Sequence, residues 1–219
     1  MPFDPPALHA LPREIGIFPL PGALLLPGGR LPLNVFEPRY LALVEDALSN
    51  GRHFGMIQPD AAAGATAKGP ALYRVGCLGR LSSFAETEDG RFLITLTGVA
   101  RFTVAQELDL TRGHRNVAAD YAEFAADLAD PEDSGVNRDN LLAALRAYFR
   151  AKEIDANWEA VERMDTAALV TNLSMVCPFE ALEKQALLEA PDTEARAEML
   201  EALLRIDSLA APGHDARPS

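Results

Sequence analysis

Residues 15–58 read IGIFPLPGALLLPGGRLPLNVFEPRYLALVEDALSNGRHFGMIQ. Five prolines, Pro19, Pro21, Pro27, Pro32 and Pro38, stand among strongly apolar residues. Each proline fixes φ and removes a backbone donor, so the segment is held extended, with kinks. Such a chain wraps the edge of a β structure and leaves apolar side chains on a rigid track. At Glu37-Pro38 the period changes. Tyr40, Leu41, Val44, Ala47 and Leu48 fall at i, i+1, i+4, i+7 and i+8, one apolar helical stripe. Pro38 suits the first turn, where its missing N–H would be unpaired anyway. Gly51, after Ser49-Asn50, suits a left-handed C-cap.

The sequence on either side of this segment reads mainly as strand. Glu14 to Leu20 predicts a first strand, and His53 to Gln58 another. Leu72 to Phe84 predicts a longer one, with Gly76 and Gly79 as bulges or kinks. Arg91 to Thr97 is a β-rich run, followed by Gly98 and a second run, Val99 to Leu108. Asp89-Gly90 is a tight-turn dipeptide, so the strands on its two sides read as a hairpin. Asn116 to Phe124 is a further short strand. Ala61 to Gly69 is small and polar, an exposed loop.

Beyond Asp127 to Asp139, an acidic and turn-rich linker, the period is helical throughout. Leu141, Leu142, Leu145, Tyr148 and Phe149 line one face. Asp165 is an N-cap for Thr166 to Val176. Pro178 opens a helix with Phe179, Leu182, Ala186 and Leu188. Asp192 caps the last, whose stripe is Ala195, Met199, Ala202, Leu203, Ile206 and Leu209. The expected fold is therefore α+β. A small, largely antiparallel sheet or partial barrel over residues 13–124 precedes about four helices over 136–209, and 210–219 form a disordered tail. Periodicity alone leaves barrel and open sheet both open.

Composition narrows the function classes. The chain has 219 residues, 48% of them hydrophobic, which is enough for a substantial core. Its net charge is −12. Residues 1–117 hold 11 Lys+Arg against 11 Asp+Glu, and residues 118–219 hold 9 against 21, so the excess belongs to the helical half. Phosphate backbones need local positive charge, so nucleic acid is an unexpected partner. No apolar run approaches the length of a membrane span, and Met1 to Ala10 lacks the pattern of a signal peptide. The expected location is the cytoplasm, with no membrane partner. Cys77 and Cys177 read as buried thiols, and neither belongs to a C-x-x-C pair.

The motifs of common chemistry are missing. The sequence contains no G-x-x-x-x-G-K-[ST], no G-x-S-x-G and no H-E-x-x-H. The lysines are Lys68, Lys152 and Lys184, none in a phosphate cradle. His53 and His114 read as surface or satisfied histidines. The carboxylate pairs Glu45-Asp46 and Glu88-Asp89 fall on exposed helix or turn positions, without the shelter that shifts a pKa. The expectation is a protein without catalytic residues, metal or cofactor.

Particular motifs carry a resemblance. Phe18-Pro19-Leu20, Leu26-Pro27-Gly28, Leu31 to Tyr40 (LPLNVFEPRY), Gly51-Arg52, Phe54-Gly55 and Gly98-Val-Ala-Arg-Phe102 resemble the signature of the N-terminal domain of Lon proteases. Leu182 to Glu189 and Glu194-Ala-Arg196 are similar to that family's C-terminal helices. The resemblance covers about residues 13–207. It implies a PUA-like antiparallel pseudo-barrel followed by a helical bundle, and recognition of unfolded or degradation-marked polypeptide. In full Lon enzymes ATPase and Ser-Lys protease domains follow; neither is found here. The chain thus resembles a free-standing, ATP-independent recognition module, associated with proteolysis through a protease or chaperone. The alternatives are an RNA-binding PUA-like module, which the acidic charge opposes, or a scaffold unconnected with proteolysis. The expected polypeptide contacts are Leu24, Leu25, Leu26 and Leu31, apolar residues with no helix to hide under, joined by Phe36 and Tyr40. Glu37, Pro38 and Arg39 at the helix start, and Gly98, Arg101 and Phe102 in the G-x-x-R-F step, are expected to be structural.

Overall fold

The structure is a computed structural model that describes residues 7–129 and 135–209. The β-rich half contains β1 (Glu14–Pro19), β2 (Arg30–Val35), β3 (His53–Ile57), the two-residue strands β4 (Ala65–Thr66) and β5 (Gly69–Pro70), β6 (Val75–Glu86), β7 (Phe92–Thr111) and β8 (His114–Asp120). Helix α1 (Pro38–Ser49) lies between β2 and β3. The strand order is β2-β7-β6-β3-β1-β8, and β8 pairs back onto β7. Five strands therefore close into a ring, with β2 appended outside it.

One joint departs from the antiparallel expectation. β1 and β3 pair in parallel, Ile17 opposite Gly55. The chain leaves β1, crosses through β2 and returns along α1, and this crossover brings β3 back in the direction of β1. Closure depends on β7, a 20-residue strand whose beginning pairs with β2 and β6 and whose end pairs with β8. The sequence suggested two strands broken at Gly98. Instead one strand passes through Gly98, because the leucine segment crosses it there. A Cβ on Gly98 would lie 2.0 Å from the Leu26 carbonyl oxygen. The Gly98 backbone bonds in both directions to that segment, Gly28 N–H donating to Gly98 O and Gly98 N–H to Gly29 O.

Two apolar clusters form on opposite faces of the ring's strands. Ile15, Ile17, Leu78, Phe102 and Val117 belong to one, inside the ring. Phe102 fits there because Gly55 and Gly76 present no side chain to its ring. The other cluster joins Phe18, Leu25, Leu26, Leu43 and Phe54 to Leu141, Tyr148, Leu169 and Leu200 of the helical half. One continuous core thus spans both halves.

The helical half comprises α2 (Arg138–Ala151), α3 (Trp158–Arg163), α4 (Thr166–Val176), α5 (Ala181–Glu189) and α6 (Thr193–Leu209). These are five helices among the described residues, one more than expected. The extra one, α3, is a short helix capped by Asn157, whose side chain accepts from Ala160 N–H. Asp165 and Asp192 cap α4 and α6 as expected, accepting from Ala168 N–H and Ala195 N–H. Pro178 stays in the connection. α5 starts at Ala181, after a reciprocal cap between Glu180 and Glu183. The predicted strand Asn116 to Phe124 ends early, and the chain turns into a 3₁₀ segment, Ala122–Leu128. The tail expected over 210–219 lies outside the described residues. Among the described residues no helix is long and apolar enough to cross a membrane.

Candidate functional site

The structure redistributes the residues expected to bind. Leu24, Leu25 and Leu26 are buried, at 2%, 2% and 0% exposure, and so hold the core instead of facing a ligand. The cause is in the strands beneath them. Gly79 leaves room for the Leu25 and Leu96 side chains, and Gly98 lets the Leu26 backbone lie directly on β7. Leu31 is half-buried at the edge of the same core. Tyr40 is buried too. Its ring stacks on Phe18 with centroids 3.9 Å apart, its hydroxyl donates to Pro19 O at 3.4 Å, and burial pushes the phenol's pKa up. Phe36 alone of the six is exposed, at 60%, beneath the Arg91 guanidinium at 5.6 Å.

The motif residues fall into structural places. Pro38 occupies the first turn of α1, with Glu37 at its N-cap. Glu37 and Arg39 form an exposed ion pair at 2.8 Å, and Arg39 lies over the Tyr40 ring. Arg101 is 3% exposed and joins the two halves. It holds Asp127 through its backbone N–H, through Nη2 to Oδ1 at 2.7 Å and through Nε to Oδ2 at 2.9 Å, and donates to Leu188 O and Pro191 O. Phe124 packs under its guanidinium. A second buried arginine, Arg196, donates from Nε to Leu187 O at 2.8 Å. Together the two arginines cap the carbonyl end of α5. Burial, and then repulsion from Arg101, push the Arg196 pKa down to about 10, leaving it charged at neutral pH.

What lies open is a sheet face. The register sets Asn34 opposite Leu93 opposite Ala85, Pro32 opposite Thr95 opposite Ser83, and Arg30 opposite Thr97 opposite Arg80. Because side chains alternate, these residues share the face turned away from the core, while Phe92, Ile94 and Leu96 point inward. Leu93 is 46% exposed in its middle. Phe36, just past the end of β2, extends the row toward Arg91. The alternation of Arg91 to Thr97 carried this signal in sequence, since Leu93 is the one apolar residue in the outward register. β2 is also the edge of the sheet. Pro32 sits in the middle of that edge, where it removes a donor and discourages another strand from pairing along it. Side chains of the face, more than backbone of the edge, are thus the surface on offer.

The face leads into a cleft of about 560 Å³ between the two halves. Thr97 belongs to both. The opposite wall is formed by the first turns of α4 and α6, with Ala167, Ala168, Asn172, Thr193 and Arg196. A second hollow, of about 760 Å³, lies across the molecule between α1 and the β7–β8 turn. Its chemistry is that of a clamp. His114 is buried with Nε2 3.0 Å from Asp46 Oδ2, and Arg112 bonds the same carboxylate at 2.7 Å. Its wall holds no thiol, and its one hydroxyl is that of Thr111. Both cysteines are buried, and burial raises their pKa, to about 11 for Cys177. They are protonated thiols of the core. Among the described residues no cluster of His, Cys, Asp and Glu is placed to hold a metal.

Comparison with known proteins places this architecture. The model of the ATP-dependent protease La (LON) substrate-binding domain matches residues 14–205. Lon protease 2 of Myxococcus xanthus is 25% identical over 214 residues, covering 91% of this chain and 25% of that protein. The Lon protease of Elusimicrobium minutum is 23% identical over 202 residues, 89% of this chain and 24% of that protein. The chain thus spans about a quarter of the length of these relatives. Among solved structures, a Lon N-terminal domain protein from Xanthomonas campestris aligns with a TM-score of 0.59 at 25% identity, over 86% of this chain and 97% of that one. The N-terminal domain of Mycobacterium avium complex Lon protease aligns with a TM-score of 0.58 at 14% identity, over 87% and 97%, a likeness of fold.

Proposed function

We propose, from the premise that this chain belongs to the LON substrate-binding domain family, that it recognises extended, unfolded polypeptide on the open face of β2, β7 and β6. The family supports a substrate-recognition module. The observation that carries the finer reading is the uncovered row of Phe36, Leu93 and Ala85, flanked by Arg30, Arg91 and the hydroxyls of Thr95, Thr97 and Ser83. Such a face gives apolar contact to passing side chains without selecting one sequence. The reading includes binding without turnover. The His114–Asp46 pair is engaged in joining α1 to β8, and the two thiols are buried.

The test is a fluorescence-anisotropy titration of a reduced, carboxymethylated protein, which stays unfolded, against the wild type and a Phe36→Ser, Leu93→Ser double variant. Each side chain is only partly exposed and contributes about 1 kcal/mol on burial, less than a fully buried leucine or phenylalanine. The double variant is expected to bind roughly 30-fold more weakly, since about 2 kcal/mol corresponds to that factor. Equal affinity of the two proteins, or absence of binding by the wild type, would remove the reading.

A further inference from the structure

Charge is unevenly spread over the open face. Its outward row farthest from the β6–β7 turn is Arg30 on β2, Thr97 on β7 and Arg80 on β6. The two guanidinium groups stand on strands two spacings apart, about 10 Å. Arg30 is exposed and, among the described residues, makes no ion pair with a carboxylate. The next residue in register, His53 on β3, has its pKa pushed down by burial and then by the Arg80 charge, so it is neutral at neutral pH. Between this row and the turn the outward residues Pro32, Asn34, Ser83, Ala85, Leu93 and Thr95 are uncharged. At the turn Arg91 pairs with Asp89 at 2.8 Å, which leaves the exposed Glu88 as the net charge there. Glu86 stands opposite Phe92 and belongs to the other face.

The surroundings of Arg30 keep that end positive. Gly29, the residue before it, packs against Met175 of α4, and Thr166–Val176 contains no charged residue. In the cleft beyond Thr97, Asp127 is neutralised by Arg101, and Asp165 stands in the same wall as Arg196. The acidic excess of the chain lies in residues 118–219, whose helices pack on the opposite side of these strands. At physiological salt, charge farther than about 8 Å is largely screened, so the guanidinium groups on the face decide the sign.

We infer that the face selects its polypeptide by charge: it takes extended segments with an acidic residue four positions from an apolar one, and rejects segments with a basic residue there. The inference rests on the polypeptide-binding reading above. The spacing follows from β7. Leu93 and Thr97 are four residues apart, about 14 Å. An extended chain with an apolar side chain on Leu93 therefore brings its residue four positions away over Arg30, Thr97 and Arg80. Charges on such an open surface contribute specificity more than affinity.

The experiment is a fluorescence-anisotropy titration of the full chain with peptides that carry an uncharged dye. All share the centre Phe-Ala-Leu in serine-glycine flanks. They differ in one residue, glutamate, glutamine or lysine, set four positions before or after the leucine. In one of these placements glutamate is expected to bind about tenfold more tightly than lysine, with glutamine between, each step of roughly threefold matching an exposed charge pair. Salt at about 1 M, where the screening length is ~3 Å, is expected to remove the difference. Arg30→Glu is expected to abolish it and Arg30→Lys to preserve it, with the glutamine peptide unaffected by either. Arg30 is exposed at the start of an edge strand, so both variants are expected to keep the wild-type urea midpoint. Equal affinity for glutamate and lysine in both placements, or a preference for glutamate that Arg30→Glu leaves intact, would overturn the inference. If the peptides bind equally and the Phe36→Ser, Leu93→Ser variant weakens all of them, charge selection fails and the apolar face stands. If that variant binds unfolded protein as tightly as wild type and keeps the Arg30-dependent preference, the charged row stands and the apolar reading fails. Absence of binding by every peptide removes both.

Discussion

A methyl group on Gly98 would meet the Leu26 carbonyl oxygen at 2.0 Å, backbone against backbone, with no side chain able to move aside. Gly98→Ala is therefore expected to cost about 3 kcal/mol, at the upper end for overpacking. Gly90, at φ 78° with open space around it, is the contrast. Gly90→Ala is expected to cost only about 1 kcal/mol, from backbone strain alone. Urea denaturation of the two variants separates the cases. The second residue of consequence is Asp127. Removing its carboxylate leaves Arg101 buried without its main partner, and Asp127→Ala is expected to cost about 3–5 kcal/mol. At this scale the sequence was legible in pattern and misleading in exposure. The run Leu24-Leu25-Leu26 reads as an apolar track with nothing to cover it. What covers it is a sheet made approachable by Gly79 and Gly98, more than 50 positions away, a pairing that no local period reveals. Asp127 looked like linker for the same reason, since its partner Arg101 lies on β7, 26 positions away.

Helix ends were the most readable elements. Asp165 and Asp192 cap by accepting from an N–H three residues on, a local geometry that spacing alone specifies. Strands were readable in place but not in pairing. The parallel joint of β1 and β3 and the closure of β8 on β7 arise from the whole path of the chain. Helix α1 illustrates how such elements are fastened. Asp46 accepts from His114 on β8 and from Arg112 at the β7–β8 turn, and these bonds, that of His114 first, hold its carboxyl below the ordinary carboxylate range. A folded-state pKa below the unfolded one contributes stability above the unfolded value, near 4, and that stability is lost as pH falls through the folded value. Asp46→Asn is expected to be less stable than wild type at pH 7. The two are expected to converge as pH falls through the lowered folded-state value, where the wild-type carboxylate is itself protonated. Urea midpoints measured from pH 7 to pH 2 check this, and parallel curves would show that Asp46 does not fasten α1.

The whole molecule has one core crossing its two halves, with Tyr148, Leu169 and Leu200 in the same cluster as Leu25, Leu43 and Phe54. Arg101 adds a buried polar link from β7 to the end of α5. The halves are therefore expected to unfold together. Trp158, the one tryptophan, reports on the helical half through its contacts with Phe149 and Arg146. Its fluorescence transition in urea should coincide with loss of amide protection in β3 and β6, and an earlier fluorescence transition would show that the halves are independent. The sequence showed two regions because period and charge both switch near residue 120, but it could not show that they share a core. Nor could it show that the leucines serve that core, so that the proposed recognition face is the opposite side of the strands. That division is the central claim, and mapping an unfolded polypeptide by NMR tests it most directly. Addition of reduced, carboxymethylated protein is expected to shift the backbone amides of Asn34, Ala85 and Arg91 to Thr97, with those of α1 and β8 unmoved. Shifts centred on α1 and β8, or none at saturating polypeptide, would contradict it.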